Sequence, residues 1–251
     1  VEGYEIWLDP AGGGTQLELK PKPVFDWTNP VRAAGQYGAA YIWTNAGRPE
    51  VIGTFFVELH SSGEKLVFHE FHSLSASNLE ARRDGDTPWA PEEPGLAFQT
   101  IRGVPAPAQT VQQRLSQMKT ISRDFSAEGG NQVKRWKLKL QAEPLYRYQT
   151  ADEAEDGALF AFLTPEGTDP EAILVLETTE NKTRWQYAIA RFSDLSQEVK
   201  HKGKRVYQWI RPNDGTGVMG APHEKYYSRV AKRIGADGKE IIQEPAAATS
   251  Q

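Results

Sequence analysis

The chain has 251 residues, a formal net charge of −4, 39% hydrophobic and 10% aromatic residues, and no cysteine. That length suits one large or two small domains with enough apolar material for a core. The absence of cysteine excludes a disulfide framework, a thiolate metal site and a cysteine nucleophile; the acidic surplus argues against nucleic acid as a partner, and no apolar run approaches the roughly 20 residues that span a bilayer.

Residues 1–14 read as a short strand (Tyr4 to Leu8) and a glycine linker. In a first unit, 15–107, Leu17 and Leu19 alternate, and Pro21 with Pro23 confines that strand to an edge. Gly38 to Thr44 alternates in aromatic pairs, Asn45-Ala46-Gly47-Arg48 supplies turn residues, and Val51 to Val57 returns, which is a hairpin pattern. The returning run is apolar on nearly every residue, which argues for a central strand covered on both faces, so the sheet needs a second layer. Lys65 to Ser75 and Leu79 to Arg83 read as further strands, followed by an Asp84-Gly85-Asp86 turn. Pro88, Pro91, Pro94, Pro105 and Pro107 mark an irregular connection with a short strand at Leu96 to Ile101.

Across 108–130 the period changes. Val111, Leu115, Met118, Ile121 and Phe125 keep helical spacing and Gly129-Gly130 supplies a stop, which predicts one linking helix between the repeats that contributes to the missing layer. A second unit, 131–235, has strands at Arg184 to Phe192 and Arg205 to Ile210 and a helix at Pro222 to Ile234. Residues 236–251 form a tail whose end, Glu244 to Gln251, is expected to be poorly ordered in solution.

The two units are copies. Gly38-Ala39 falls on Gly157-Ala158, Tyr41 on Phe160, Trp43 on Phe162, Pro49-Glu50 on Pro170-Glu171 and Glu58 on Glu177. Upstream, Pro23 falls on Pro144 with aromatic residues following in both; downstream, Val67, His69, Phe71, Leu74 and Ser75 fall on Trp185, Tyr187, Ile189, Phe192 and Ser193. Features present in both copies are most simply requirements of the scaffold, and features present in one are freer to serve function.

Phe25-Asp-Trp-Thr-Asn-Pro-Val-Arg32, Gly47-Arg-Pro-Glu50, His69-Glu-Phe-His-Ser-Leu-Ser75, Arg114-Leu-Ser-Gln-Met-Lys119, Pro144-Leu-Tyr-Arg-Tyr148 and Asp156-Gly-Ala-Leu-Phe-Ala-Phe162 together resemble an uncharacterised family abundant in planctomycete bacteria. The resemblance covers Leu17 to Trp209. Members commonly carry export signals, so the resemblance implies an exported or cell-envelope protein, and a chain that opens on Val1 is compatible with a cleaved signal or a trimmed start. It implies no activity, substrate or catalytic residue.

The single-copy rule selects His69-Glu70-Phe71-His72, opposite Tyr187-Ala188-Ile189-Ala190. On a strand Glu70 and His72 share one face and His69 and Phe71 the other, so Glu70 and His72 offer two metal ligands, or a base with its orienting carboxylate. A metal needs a further ligand, and His60, His201 and His223 are the remaining imidazoles. The simpler reading is the polar, solvent-facing side of an exposed strand. Glu50 with Glu58 and Glu171 with Glu177 share strand parity, but eight residues of extended chain separate the first pair by about 26 Å, so each glutamate is read as ending an apolar strand in water.

Gly215-Thr-Gly-Val-Met-Gly220 satisfies a dinucleotide-type pattern without room for the strand and acidic residue that should follow, and is read as a loop. Lys200-His-Lys-Gly-Lys-Arg205, with Tyr207 and Trp209 beyond, reads either as an anion patch or as a hairpin turn around Gly203. Trp27, Tyr37, Tyr41, Trp43, Phe55, Phe68 and Trp89 supply a core, or an exposed platform if one or two stay outside.

The sequence thus predicts an α+β fold, mainly antiparallel β, of two sequence-related repeat units with one linking helix. The expected function is non-catalytic: an exported or envelope binding protein for a protein, peptide or saccharide, without cofactor or metal, with Trp43, His69, Glu70, His72 and Trp89 as binding residues. The alternative is a hydrolase or metal-dependent enzyme using Glu70 and His72.

Overall fold

A computed structural model describes residues 3–131, 134–150, 155–179, 181–212 and 220–241. The chain is α+β and mainly antiparallel β. The first half carries β1 (Glu5–Leu8), β2 (Thr15–Gln16), β3 (Glu18–Leu19), β4 (Phe25–Asn29), β5 (Gln36–Asn45), β6 (Arg48–Leu59), β7 (Lys65–Ser73), β8 (Leu79–Arg83), β9 (Asp86–Trp89) and β10 (Gln99–Thr100). After the helix α1 (Val111–Ser122) the second half repeats the order: β11 (Phe125–Gly130), β12 (Arg135–Lys137), β13 (Lys139–Leu140), β14 (Tyr146–Gln149), β15 (Asp156–Leu163), β16 (Pro170–Thr178), β17 (Trp185–Arg191), β18 (Ser196–His201), β19 (Lys204–Trp209) and β20 (Tyr226–Ile234). No helix of the described residues is long and apolar enough to cross a membrane.

Each half builds a four-stranded and a six-stranded sheet. The small sheets run β2-β1-β8-β9 and β12-β11-β18-β19; the large ones run β20-β7-β6-β5-β3, with β4 also on β5, and β10-β17-β16-β15-β13, with β14 also on β15. The last strand of each half crosses over: β10 pairs with β17 of the second unit and β20 with β7 of the first. Each large sheet is therefore completed by the other unit, which covers an edge that would otherwise present unpaired backbone groups.

The four sheets stack as layers. Along β15, Leu159, Ala161 and Leu163 pack into a central core, while Ala158, Phe160 and Phe162 pack into an outer one. Along β16, Ile173 and Val175 go to the centre and Ala172, Leu174 and Leu176 outward. This is why the central runs are apolar without alternation: both faces are covered. The central core also takes Ala40, Ile42 and Ile52 of the first unit, so the two large sheets pack face to face. Sheet β2-β1-β8-β9 covers the outer face of the first unit through Ile6, Leu79, Ala81 and Trp89. Sheet β12-β11-β18-β19 and α1 cover the second through Phe125, Ala127, Val199, Met118 and Ile121.

Local signals account for the connections. Ala46-Gly47, Asp84-Gly85 and Lys202-Gly203 all have positive φ and close two-residue hairpins, the conformation whose twist matches the strands it joins. The repeated Gly-Ala has a different cause. A Cβ on Gly38 would lie 2.9 Å from Trp27 Cζ2, and one on Gly157 2.3 Å from Tyr148 Cζ, because in each copy the aromatic residue on the neighbouring strand lies over the glycine.

Several expectations are corrected. α1 ends at Ser122, and Phe125 to Gly130 form β11, so the helical spacing ran beyond the helix. The helix is capped by the Thr110 hydroxyl accepting from Gln113 N at 3.2 Å, and it packs on β15 and β16 as part of the layer that covers the second unit. β1 and β11 are the equivalent first strands of the two small sheets, so each unit begins before the boundary read at residue 15 or 131. Tyr226 to Ile234, expected as a helix, is β20: β-branched and aromatic residues gain a ladder and a buried face along β7 that local propensity does not foresee. The Gly215-to-Met219 part of the glycine motif, and the tail from residue 242, lie outside the described residues.

Candidate functional site

Between the two large sheets the duplication stops being symmetrical. Glu70 and His72 face inward from β7, where the second unit has Ala188 and Ala190 in the central core. They share a face as strand parity requires, but they are 7% and 2% exposed, not the solvent-facing side of an exposed strand. The reason is β20, which covers the edge of β7 and sets Tyr226 opposite His72 and Ser228 opposite Glu70.

His69 points the opposite way. Its Nδ1 lies 2.6 Å from the Tyr4 hydroxyl and its ring packs edge-on to Phe55, so it belongs to the outer face; burial and then the Arg83 charge lower its pKa to about 3. Trp43 and Trp89 are 1% and 0% exposed and sit in the same outer core. Of the five residues predicted to bind, Glu70 and His72 line cavities between the units, His69 lines a separate open cavity of about 700 Å³ with Tyr4, Arg83 and Arg229, and Trp43 and Trp89 are packed in the outer core. Trp43 and Trp89 form no exposed platform.

Two cavities meet at Tyr226. The smaller, about 120 Å³, is lined by Trp27, Arg32, Gln36, Glu70, Asp169, Asp194 and Tyr226, among others. Its chemistry is acidic and largely satisfied. Arg32 Nη1 lies 3.0 Å from Asp169 and Nη2 2.7 Å from Glu171, and the Tyr226 hydroxyl donates to Glu70. Burial, then the charge of Glu171, pushes Asp169 up to about 8. Burial, then the charges of Asp169 and Asp194, raises Glu70 well above the usual carboxylate range.

The larger cavity, about 340 Å³, takes its walls from both units: His72 of β7, Arg191 at the end of β17, Tyr207 and Trp209 of β19, His223, and Tyr226 of the exchanged strand, with Glu92, Glu93, Glu224 and Lys225 completing the lining. The Arg191 guanidinium carbon is 3.7 Å from the centre of the Trp209 ring and 3.9 Å from that of Tyr226. Burial lowers its pKa to about 10, so it stays a cation at neutral pH. His72 Nδ1 lies 2.7 Å from the Ser73 carbonyl oxygen and must donate to it, which leaves Nε2 as an acceptor. Burial lowers the His72 pKa to about 3, so the ring is neutral.

Of the four shared glutamates Glu58 is half-buried near the end of β6, but the other three do not end their strands in water. Glu50, Glu171 and Glu177 are buried. Arg48 gathers Glu50 at 3.2 Å, Glu155 at 3.1 Å and Glu177 at 3.5 Å, and Glu177 also accepts from the Tyr148 hydroxyl at 2.6 Å. Asp169 occupies the position in the second copy that Arg48 has in the first. Both sides of the central interface gather carboxylates around an arginine, Arg48 on one and Arg32 on the other, and a cavity opens beside Arg32. Among the described residues no group of three or more His, Asp or Glu is placed to hold a metal ion.

The residues that sequence reasoning missed are Arg191 and Tyr226. The single-copy rule reaches Arg191, which falls opposite Ser73, but an isolated arginine after an apolar strand reads as its soluble end. Tyr226 was hidden by the helical reading of β20. Tyr207 and Trp209 were noticed beside the basic run, but that run forms the β18–β19 turn, and the cation beneath the rings comes from β17. No family model matches the chain, and no curated protein or solved structure matches it.

Proposed function

We propose that this chain is a non-catalytic binding protein whose ligand occupies the cavity of about 340 Å³ at the crossover of β20. The observation that carries this reading is the placement of single-copy residues: a duplicated scaffold departs from its own symmetry at His72, Arg191 and Tyr226, and these converge on one cavity. Its volume is at the lower end of the range for small-molecule sites, which supports a small ligand or the end of a longer chain. Catalysis by Glu70 and His72 has less support, because Glu70 receives the Tyr226 hydroxyl and His72 donates to its neighbour's carbonyl, so neither orients the other. The resemblance to a planctomycete family with frequent export signals supports an exported or envelope setting.

Native mass spectrometry of protein purified from its own source, set against the denatured mass, tests the reading. A small molecule retained by the native chain and lost on Trp209→Ala is the expected result. A bare native mass together with turnover of ester or glycoside substrates that is abolished by His72→Gln would replace the binding protein with an enzyme.

A further inference from the structure

We infer that the group recognised in this cavity is a single carboxylate, held edge-on by Arg191; the inference rests on the binding reading above. Arg191 is 5% exposed. The Trp209 and Tyr226 ring centres lie 3.7 and 3.9 Å from its guanidinium carbon, and its N–H donors lie in the plane of the guanidinium itself. That is the geometry in which arginine takes a carboxylate through two parallel hydrogen bonds.

Among the described residues these donors make no hydrogen bond. Among the described residues the one carboxylate within 4 Å is Glu224, whose oxygen is 3.8 Å from Nη2 and half exposed, which is beyond hydrogen-bond distance. Nothing in the repeated scaffold calls for a cation here, since the equivalent position is Ser73. A buried cation whose nearest carboxylate lies beyond hydrogen-bond distance is costly, and contact with the two rings offsets part of that cost. Such an arrangement is preorganised for an anion that arrives from outside.

The rest of the lining limits that anion. Lys225 adds a positive charge, but Glu92, Glu93 and Glu224 surround the same space, and His72 is neutral, so repulsion grows with the charge of the ligand and a dianion meets more of it than a monoanion. The acceptor Nε2 of His72 suits a neutral donor next to the carboxylate, either a hydroxyl as in a sugar acid or an amide N–H as at a peptide C-terminus. Both sources present the same chemistry to Arg191.

The test uses the full chain and isothermal titration with matched probes. Glucuronate is compared with its methyl ester, an N-acetyl dipeptide acid with its C-terminal amide, and inorganic phosphate serves as the dianion. Binding of at least one acid, weakened tenfold or more as its ester or amide and exceeding phosphate by a similar factor, is the expected result. This comparison is made on unaltered protein and does not depend on any variant folding. Arg191→Lys, which keeps the charge and loses the fork, should lower the affinity tenfold or more with unchanged circular dichroism. Which acid binds distinguishes the sugar from the peptide source. Equal binding of acid and ester or amide, tighter binding of phosphate, or no binding by any acid would overturn the carboxylate inference. A neutral molecule retained in the native mass and insensitive to Arg191→Lys would do so as well, while leaving the binding reading intact.

Discussion

Arg32 of the first unit places Nη2 2.7 Å from Oε1 of Glu171 in the second, and its other terminal nitrogen 3.0 Å from Asp169. Glu171 is wholly buried and Asp169 nearly so, so this arginine supplies the charge that balances them at pH 8, where Asp169 ionises. Removing one partner of such a network leaves an uncompensated buried charge, which costs about 3–5 kcal/mol. Arg32→Met should therefore lower the urea-unfolding free energy by that amount at pH 8. Adding Asp169→Asn and Glu171→Gln should restore most of it. If the single variant loses less than about 1 kcal/mol, the magnitude of an exposed pair, the interface does not depend on this arginine.

Stability should vary with pH in two windows. Asp169 keeps its proton in the folded chain up to about 8 but releases it in the unfolded chain near ~4. The folded state binds more protons between these values, so stability falls as pH rises toward 8. His69 and His72 behave oppositely: neutral in the folded chain down to about 3, they take protons near ~6.5 when unfolded. That contribution is present above ~6.5 and is lost as pH falls toward 3. Between about 4 and 6.5 the two effects oppose each other, and above 6.5 Asp169 acts without the histidines, in the same direction as Glu70, whose pKa is also raised. Asp169→Asn should flatten the decline between pH 6.5 and 8 in thermal or urea unfolding. An unchanged alkaline slope in that variant would assign the decline to another group.

The glycine common to both copies is required by a ring. A Cβ at residue 157 would meet the Tyr148 hydroxyl at 2.3 Å and Glu177 Cβ at 2.8 Å. Gly157→Ala should displace Tyr148, disturb its hydrogen bond to Glu177 and destabilise by about 1–3 kcal/mol, the range for overpacking a filled site. Gly157→Ala with Tyr148→Ala should recover part of the loss, as a double-mutant cycle would measure. Additive effects of the two substitutions would mean that the ring is not the obstacle.

Because β10 and β20 are exchanged, the units should open together. Hydrogen exchange of β6 and β16 is expected to report one global opening free energy, equal within about 1 kcal/mol, as for segments of one cooperative unit. Deleting 226–241 should raise exchange along β7 and promote association through its uncovered edge. Protection of β16 exceeding that of β6 by several kcal/mol would show that the halves unfold separately.

What could be read from the chain was local or repeated. The hairpin turns at Gly47, Gly85 and Gly203 are visible because positive φ selects glycine within two residues of known strands. The doubly covered strands β6 and β16 are visible because burial on both faces removes alternation. Glu70 and His72 stood out because their counterparts are alanines, although their burial did not. The glutamates that reach across the interface were misread because burial of a carboxylate depends on an arginine far away in the sequence: 139 residues separate Arg32 from Glu171.

By itself the sequence determined the duplication, the strand-rich class and the residues in which the copies differ, since these follow from side-chain periodicity and turn chemistry within short windows. Only the tertiary structure decided that the last strand of each unit pairs with the other unit. It alone placed β20 as a strand, buried Glu70 and His72, and set Arg191 between Trp209 and Tyr226. The physical reason is that an edge strand is chosen by the backbone ladder it completes, and an ion pair by the partner it meets. Both are contacts between distant segments that leave no period in the chain.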